Sequence, residues 1–380
     1  MKQYSNRKVF IACSGVGHVQ RGYESFSVEL FDQLKNEAGF DLYLLKGGGG
    51  KAEKHIRIAC LKRSGFVARS LSFLTRCRRY SVEQVTFTLA LLPVILKHKP
   101  SVIYYSDTIM GKMLYYFRKV FGFRYKLLFC NGAPKRPPFY TEDHVQQLLE
   151  WYNQEAIRAG TPAEKLTLLP FAFEISDTLY CKSPEDVRAL KTGLGIPHRK
   201  KIILSVGAIN SYHKRMDYLL REFANLNQQE YYLILLGQHE DESDAILKLA
   251  DEMLDKNSYT IREVPYSQVG SYFSIADYFV LSSLSEGFGR VQIEALQYGL
   301  LPIVHDYPVA REILQSHAVY GDFTKPRVLE GLIRQTNNSR FTKEELWSYA
   351  FHNFSWKHLQ SRYVDFLVNN LPLQQRDQTA

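Results

Sequence analysis

Two glutamates, Glu286 and Glu294, lie eight residues apart on either side of a Gly-Phe-Gly turn. The apolar run at residues 276–281 predicts a buried parallel strand before the turn, and the periodicity of residues 291–298 predicts a helix after it. The first amides of a helix lack partners within the helix and carry partial positive charge, so they can bind an anion such as a diphosphate. Carboxylates beside such a turn can accept hydrogen bonds from sugar and ribose hydroxyls. The spacing therefore indicates a site for a diphosphate that carries a sugar, although glutamates also favour the start of a helix on electrostatic grounds alone.

A second motif lies upstream. Residues 200–207 predict a strand that ends in a glycine turn, and apolar spacing within residues 208–223 predicts the helix that follows. Lys214 falls in the connection between this strand and this helix. Strands and helices continue to alternate beyond this motif, which predicts a parallel sheet with its ligands at the carboxyl ends of the strands.

Together the two motifs resemble the donor-sugar site of retaining glycosyltransferases with two Rossmann-like domains, the group 1 (family 4) type with a Glu-x7-Glu motif. This large family includes sucrose synthases and bacterial mannosyltransferases. The resemblance implies an α/β fold in which two Rossmann-like parallel-sheet domains face each other across a cleft, the B-type glycosyltransferase fold. It implies a basic, acceptor-binding N-terminal domain over residues 1–178 and a nucleotide-sugar donor domain over residues 179–355. Residues 356–380 are expected to form a helix that returns to the first domain.

The resemblance also implies roles for individual residues. Glu286 would hold the sugar hydroxyls, Lys214 would neutralise the donor diphosphate, and these two form the predicted catalytic pair. The arginine that the family carries after the glycine of the second motif is Ala208 here, so Arg215 and Arg290 are the alternatives for a second cation. The backbone near Val264 would pair with the nucleotide base. The full donor-binding set implied is Gly17, Lys214, Arg215, Val264, Glu286, Gly287, Phe288, Gly289, Arg290 and Glu294.

The acceptor side is less well defined. Many members of the family carry a histidine near the end of a later strand of the first domain, where this chain has Asn131. Asparagine can exchange hydrogen bonds but cannot act as a base, so acceptor activation has no assigned residue. His18, Glu24 and Asp107 are the remaining candidates, His18 because it lies in the first glycine loop after a predicted strand.

Composition limits the other possibilities. With 45% hydrophobic and 23% charged residues, the 380-residue chain has the make-up of an ordinary globular protein with room for two cores. Five scattered cysteines without a Cys-x-x-Cys spacing argue against a disulfide framework or a zinc site. No Asp-x-Asp motif is present, so we expect neither a metal nor another cofactor. The N-terminus lacks a signal-peptide pattern, which predicts a cytoplasmic protein, with peripheral attachment to the inner face of the plasma membrane as an alternative.

The net charge of +9 is concentrated in one segment. Residues 51–126 contain 16 lysines and arginines but three acidic residues, and aromatic residues lie among the cations. Three interpretations remain open for this segment. It could form solvated helix faces, dock on an anionic membrane surface, or bind nucleic acid. The last is the least favoured, because no known nucleic-acid module accompanies the charge, and we predict no nucleic-acid partner.

The motifs and the resemblance together predict a retaining glycosyltransferase. It would move a hexose-type sugar from a UDP- or GDP-sugar to a hydroxyl acceptor, by a metal-independent front-face mechanism. The acceptor would be a sugar, a lipid-linked glycan or a small molecule. The alternatives are a nucleotide-sugar epimerase on the same fold and a catalytically silent scaffold that binds a nucleotide sugar.

Overall fold

The computed structural model describes residues 7–19, 21–37, 39–179, 182–240 and 242–372. The chain forms two compact units. The first contains the residues up to Glu174 together with those from Trp356 onward, and the second contains Ile175–Ser355. The acceptor and donor roles that the sequence assigns to the two parts remain predictions.

The first unit is built around a parallel sheet. Within its described residues, seven strands run in the order β3-β2-β1-β4-β5-β6-β7, and every paired neighbour is parallel. The strands are β1 (Lys8–Cys13), β2 (Asp41–Lys46), β3 (His55–Arg57), β4 (Val102–Tyr105), β5 (Lys126–Cys130), β6 (His144–Gln147) and β7 (Leu166–Leu168). The helices that connect them are α1 (Gly22–Leu34), α2 (Phe66–Thr75), α3 (Arg79–His98), α4 (Thr108–Phe121) and α5 (Glu150–Arg158). The central strands are buried on both faces, as a parallel sheet covered by helices requires.

The second unit repeats this plan. The described part of it contains a parallel sheet of six strands in the order β10-β9-β8-β11-β12-β13. Its strands are β8 (Lys201–Val206), β9 (Tyr231–Leu236), β10 (Tyr259–Arg262), β11 (Tyr278–Leu281), β12 (Pro302–His305) and β13 (Val319–Gly321). Its helices are α6 (Pro184–Leu194), α7 (Met216–Ala224), α8 (Ser243–Met253), α9 (Tyr266–Phe273), α10 (Arg290–Gln297), α11 (Pro308–Leu314), α12 (Leu329–Asn337) and α13 (Lys343–Phe354). The predicted α/β class with two parallel Rossmann-like sheets is confirmed.

The last helix, α14 (Trp356–Asn370), belongs to the first unit. The Trp356 ring stacks on Phe26 of α1 with centroids 6.1 Å apart. The Tyr363 hydroxyl donates to the carbonyl of Pro170 at 2.6 Å. An aromatic face at helical spacing therefore anchors the end of the described chain in the core of that unit.

The strand order of each unit reverses direction at one point. In the first unit this point lies between β1 and β4, and in the second it lies between β8 and β11. The connections after these strands leave on opposite sides of the sheet and open a crevice at the carboxyl ends, where ligands of such sheets bind. The two loops after β8 and β11 are those that carry Lys214 and Glu286.

One close backbone contact fixes the edge of the second sheet beside that crevice. A Cβ atom at Gly237, just after β9, would lie 1.7 Å from the carbonyl oxygen of Gly207, just after β8. The amide of Gly207 in turn donates to the carbonyl of Leu236 at 2.8 Å. No residue larger than glycine fits at position 237 without moving this backbone.

We therefore expect Gly237→Ala to lower the free energy of unfolding by about 1–3 kcal/mol or more, the range typical of overpacking. Gly331→Ala is the matched control, because Gly331 lies within α12 and no atom is within 4 Å of its added Cβ. This control should raise the stability by about 0.5–1 kcal/mol through helix propensity alone. Urea unfolding followed by circular dichroism measures both, and an unchanged midpoint for Gly237→Ala would contradict the close contact.

Candidate functional site

The predicted catalytic pair meets at the switch point of the second sheet. The Lys214 Nζ lies 2.5 Å from Glu286 Oε1, and the Nε2 of His213 lies 3.7 Å from Glu286 Oε2. The side chains of Lys214 and Glu286 are 13% and 8% exposed, respectively. An almost buried ion pair thus joins the loop after β8 to the loop after β11.

Neighbouring polar groups hold the Lys214 backbone in place. The Oδ1 of Asn210 accepts from the amides of Lys214 and His213 at 2.8 and 3.2 Å, and the Asn210 Nδ2 donates to Glu240 Oε2 at 2.8 Å. From the other loop, the Ser282 hydroxyl donates to the Lys214 carbonyl at 2.6 Å. A Cβ at Gly207 would lie 2.9 Å from the Lys214 side chain, so a glycine at that position leaves room for the lysine stem.

Two opposing effects set the pKa of Glu286. Burial disfavours the charged carboxylate, but the positive charge of Lys214, assisted by His213, outweighs burial and holds the pKa below its usual value. Glu286 is therefore ionised at neutral pH. It can accept hydrogen bonds but has no proton of its own to donate.

The glycine turn and the start of α10 lie beside this pair in sequence and in the fold. Gly289 caps α10 with φ of +73°, a left-handed conformation that glycine adopts readily. Phe288 is buried and packs edge-on against Phe354, with centroids 5.9 Å apart. The contact of Phe288 with Phe354 holds the turn in place, and Gly287 beside it is half-buried. Arg290 occupies the first position of α10 and is also buried.

The other predicted donor residues lie on several different elements of the second unit. Glu294 is buried in α10 and accepts from the Tyr266 hydroxyl at 3.1 Å. Val264 follows β10, two strands away from β8, and is half-buried. The guanidinium of Arg215 donates to the carbonyl of Phe323 at 2.7 Å and lies 4.5 Å from the Tyr218 ring centroid. Arg215 thus braces its own unit, although the sequence offers it as a second cation for the donor.

Gly17 lies in the first unit. There its φ is +89°, and an added Cβ would be 2.3 Å from the backbone of Gly48. The loop after β1 therefore packs directly against the loop after β2, which requires glycine at position 17.

One of the acceptor-side candidates, His18, contacts a buried carboxylate that the motifs did not identify. Glu83 of α3 has no exposed surface and is contacted by three residues. The hydroxyl of Ser14 donates to it at 3.0 Å, the His18 Nε2 lies at 3.0 Å, and Arg63 approaches through its Nη2 at 2.6 Å and its backbone amide at 2.8 Å. Although burial opposes ionisation, the hydrogen bonds from His18 and Arg63 hold the pKa of Glu83 far below its usual range.

Glu24 and Asp107 lie at the switch point of the first unit, after β1 and β4. Their environments raise the carboxyl pKa, whereas that of Glu83 lowers it. A Cβ at Gly15 would be 2.2 Å from the Glu24 Oε1, so this carboxyl group lies directly over the glycine loop. Burial, reinforced by the charge of Glu24, raises the pKa of Asp107 to about 7, with Arg63 opposing. Burial raises the pKa of Glu24 as well, again against the Arg63 charge. Two carboxyl groups in this crevice therefore retain protons more strongly than carboxyls in water.

Asn131 is committed to contacts within its own unit. Its Nδ2 donates to the Gln147 Oε1 at 2.9 Å, and its Oδ1 accepts from the Lys135 amide at 2.8 Å. It is buried, so it orders the loop after β5.

Sequence reasoning missed Asn210, Ser282, Arg63 and Glu83. A signal existed for Glu83, since it and Asp107 are the only acidic residues between positions 54 and 141 of a basic segment. A lone carboxylate on an otherwise apolar and basic helix is one whose burial requires a partner. Asn210 and Ser282 carried no comparable signal, because their roles depend on loop geometry.

Removing the Lys214 charge should reverse the pKa shift of Glu286. In Lys214→Met, burial remains while the main compensating charge is lost, so the Glu286 pKa should rise above its ordinary value of about 4.3. A pH titration of carboxyl carbon signals by NMR, assigned with Glu286→Gln, measures this. Lys248→Met is the control, because the Lys248 side chain is 79% exposed and pairs with Glu252 within α8. An unchanged Glu286 pKa in Lys214→Met would contradict the ion pair.

Asp107 should make the protein less stable as the pH rises from about 4 to about 7. Its folded pKa is raised, so over this range the native state retains a proton that the unfolded chain has released, and stability falls with pH. Asp107→Asn should therefore lose less thermal stability than the wild type between pH 5 and pH 8. Asp32→Asn, at an exposed position paired with Lys35, should follow the wild type. If Asp107→Asn also follows the wild type, the raised pKa is wrong.

Two properties of the described part of the chain bear on the membrane and metal predictions. None of its helices combines the length and apolar content that a bilayer crossing requires. No cluster of three or more histidine, cysteine, aspartate or glutamate side chains is placed there to hold a metal ion.

A match to a known protein family lies within the second unit. The family of glycosyl transferases group 1 matches residues 186–349. An alpha-monoglucosyldiacylglycerol synthase of Streptococcus pneumoniae is 27% identical over 195 residues, 49% of this chain and 44% of that protein. A GDP-mannose:cellobiosyl-diphosphopolyprenol alpha-mannosyltransferase of Xanthomonas oryzae is 28% identical over 144 residues, 36% of this chain and 38% of that protein. The chain thus matches less than half the length of these curated relatives.

A likeness of fold to a solved structure covers 95% of the chain. The crystal structure of the Anabaena protein HepE in complex with UDP-glucose has a TM-score of 0.71 and 14% sequence identity, over 95% of this chain and 99% of that chain. At this identity the likeness concerns the fold. The match to the family of glycosyl transferases group 1 therefore covers residues 186–349 of this chain, and the likeness to the solved structure concerns the fold with two parallel Rossmann-like sheets.

Proposed function

We propose that this protein is a retaining glycosyltransferase that moves a hexose-type sugar from a UDP- or GDP-sugar to a hydroxyl acceptor. One observation carries the proposal. The Lys214–Glu286 pair and the glycine turn before α10 lie together at the switch point of a sheet, where a nucleotide ligand is expected. Two similar proteins agree with such donors, since one is solved with UDP-glucose and the other is named as a GDP-mannose:cellobiosyl-diphosphopolyprenol alpha-mannosyltransferase.

In this proposal Lys214 acts on the leaving group. Its ammonium is nearly buried and its backbone is held by Asn210 and Ser282, so it needs little reorganisation to face a diphosphate. A positive charge fixed in this way stabilises the negative charge that develops as the glycosidic bond breaks. Arg290 or Arg215, together with the amides at the start of α10, would supply the remaining positive potential. Arg290 and Arg215 are the two candidates for the second cation, and the Arg215 guanidinium also donates to the Phe323 carbonyl.

Glu286 would bind the transferred sugar. The lowered pKa keeps it ionised, and an ionised carboxylate only accepts hydrogen bonds, which suits it to sugar hydroxyls. Its close partner Lys214 fixes its orientation. Glu294, already bonded to Tyr266, would accept from the ribose hydroxyls, and the backbone near Val264 would pair with the base.

The reaction itself would follow a front-face course. The bond between the anomeric carbon and the diphosphate oxygen breaks, the acceptor oxygen forms a new bond on the same face, and the acceptor proton passes to the departing diphosphate. No residue then needs to act as a nucleophile. We propose that no metal is required, because lysine, arginine and helix-end amides are available for the diphosphate and the sequence carries no Asp-x-Asp motif.

On the acceptor side, Asp107 is the strongest of the predicted candidates. With a pKa of about 7, it exchanges protons readily at neutral pH, and it lies with Glu24 at the switch point of the first unit. His18 is hydrogen-bonded to Glu83 and Asn131 to Gln147, so both have structural partners already. A hydroxyl acceptor in this crevice would be bound by Asp107 and Glu24.

Cysteines that stay unpaired, including Cys13 and Cys130, support a reducing, cytoplasmic location for the enzyme.

The two alternatives predict different outcomes in one experiment. A thermal-shift screen with UDP- and GDP-sugars, with and without chelator, identifies the donor, because a ligand at a hundredfold excess over its Kd adds about 2.7 kcal/mol to the apparent stability. Hydrolysis of that donor without acceptor then separates an enzyme from a silent scaffold. Conversion of the donor into its sugar epimer would indicate the epimerase. A shift abolished by chelator would overturn the metal-independent mechanism.

Substitutions at the pair provide the test of mechanism. Glu286→Gln and Lys214→Met should each lower donor hydrolysis on the order of 10²-fold or more, since each removes an electrostatic contact that strengthens in the transition state. Glu294→Ala should instead mainly raise the KM for the donor. Glu252→Gln and Lys248→Met, the exposed pair on α8, are the matched controls and should leave turnover unchanged. Near-normal turnover by Glu286→Gln would remove its assignment.

A further inference from the structure

Helix α2 of the first unit presents an apolar face to the surface. Phe66, Val67, Phe73 and Leu74 are 81%, 54%, 85% and 77% exposed, while Ala68 between them is buried. At about 100° per residue, the spacing of the four exposed side chains places them on one side of the helix. Scattered exposed apolar residues are ordinary, but four on one helix face form a patch that calls for a partner.

Positive charge borders this face. Residues 58–82 contain six lysines and arginines and no acidic residue. Arg69 within the helix and Arg76 and Arg78 just after it are exposed. We call the four apolar side chains with these three arginines the α2 surface. Apolar residues on one side of a helix with cations at its margin are the arrangement found in helices that lie in a membrane interface.

The α2 surface lies at the carboxyl edge of the sheet. Arg63 just before α2 bonds to Glu83 in the second turn of α3, and Glu83 bonds to Ser14 just after β1. Both ends of α2 are therefore tied to the same edge of the sheet that carries Glu24 and Asp107. An acceptor held on a lipid surface would thus meet the unit on its proposed acceptor side.

We propose that the α2 surface docks on the anionic surface of a lipid bilayer. Charge complementarity selects this occupant. The arginines would be attracted to anionic headgroups while Phe66, Phe73 and Leu74 enter the acyl boundary. A second copy of this chain would bring arginines against arginines, which is unfavourable. Nucleic acid would engage the arginines but would leave Val67 and Leu74 without a matching surface.

This docking goes beyond the proposed function and does not depend on it, since binding to a bilayer requires no turnover. The experiment uses the full chain and vesicles of phosphatidylcholine, with or without about 30% phosphatidylglycerol, in a co-sedimentation assay. We expect binding to the anionic vesicles at least tenfold stronger than to the neutral ones. Added salt should weaken it, because exposed charges are screened.

Matched variants separate the apolar from the charged contribution. Phe73→Ser with Leu74→Ser should weaken binding to the anionic vesicles at least tenfold. Arg69→Gln, Arg76→Gln and Arg78→Gln together should remove the preference for anionic lipid. The control is Val120→Ser with Phe121→Ser, an exposed apolar pair at the far end of α4, on the opposite edge of the sheet. This control should bind as the wild type does.

All altered side chains are exposed, so an unchanged thermal midpoint verifies folding, and donor hydrolysis by the same variants reports the proposed function separately. Equal or negligible binding to both kinds of vesicle would overturn the docking proposal. Binding to single-stranded RNA without lipid binding would assign the surface to nucleic acid. Self-association lost in the Phe73 and Leu74 double variant, again without lipid binding, would assign it to a second copy.

Discussion

The ion pair between Lys214 and Glu286 is the contact on which the second unit's site depends. Burying two charges removes them from water at a cost that their mutual attraction does not necessarily recover, so such a pair is weak evidence for stability. Here the cost is reduced by Asn210 and Ser282, which satisfy the backbone around Lys214 from two different loops. The pair joins the loops after β8 and β11 and keeps Glu286 ionised. The pair therefore contributes a fixed orientation of both side chains and an ionised Glu286, which the proposed site for an anionic sugar donor requires.

The two units use buried carboxyl groups in opposite ways. At the switch point of the second unit, the cation Lys214 outweighs burial and Glu286 loses its proton. At that of the first unit, burial outweighs the more distant Arg63 and the Asp107 pKa rises to about 7. Arg63 forms an ion pair with Glu83 at 2.6 Å. Its charge therefore offsets only part of the effect of burial on the pKa values of Asp107 and Glu24. Different environments of the same chemical group thus separate an acceptor of hydrogen bonds from a group that can exchange a proton.

Sequence patterns identified the fold and the loops that carry the pair, because strand–turn–helix order is local and the sheets follow from it. They did not identify Asn210, Ser282 or Arg63. The contacts of Ser282 with Lys214 and of Arg63 with Glu83 join segments that are 68 and 20 residues apart, and the bonds from Asn210 to its own loop depend on loop conformation. They also left Arg215 and Arg290 equivalent as second cations. In the structure the Arg215 guanidinium donates to the carbonyl of Phe323, and Arg290 is buried at the first position of α10. Side-chain direction at a helix start is a tertiary property that composition and spacing do not determine.

The positive segment of the first unit shows why net charge alone does not define a function. One of its cations, Arg63, lies in a buried cluster with Glu83, while Arg69, Arg76 and Arg78 lie at the surface. Solvated helix faces would account for the exposed arginines but not for the exposed Phe66 and Phe73, because apolar groups gain nothing from water. A surface with both features is stable only where each is matched, the arginines by negative charge and the apolar side chains by a medium without water. The interface of an anionic bilayer would meet both requirements at once, which is why the docking proposal rests on the exposure of α2 rather than on the charge count.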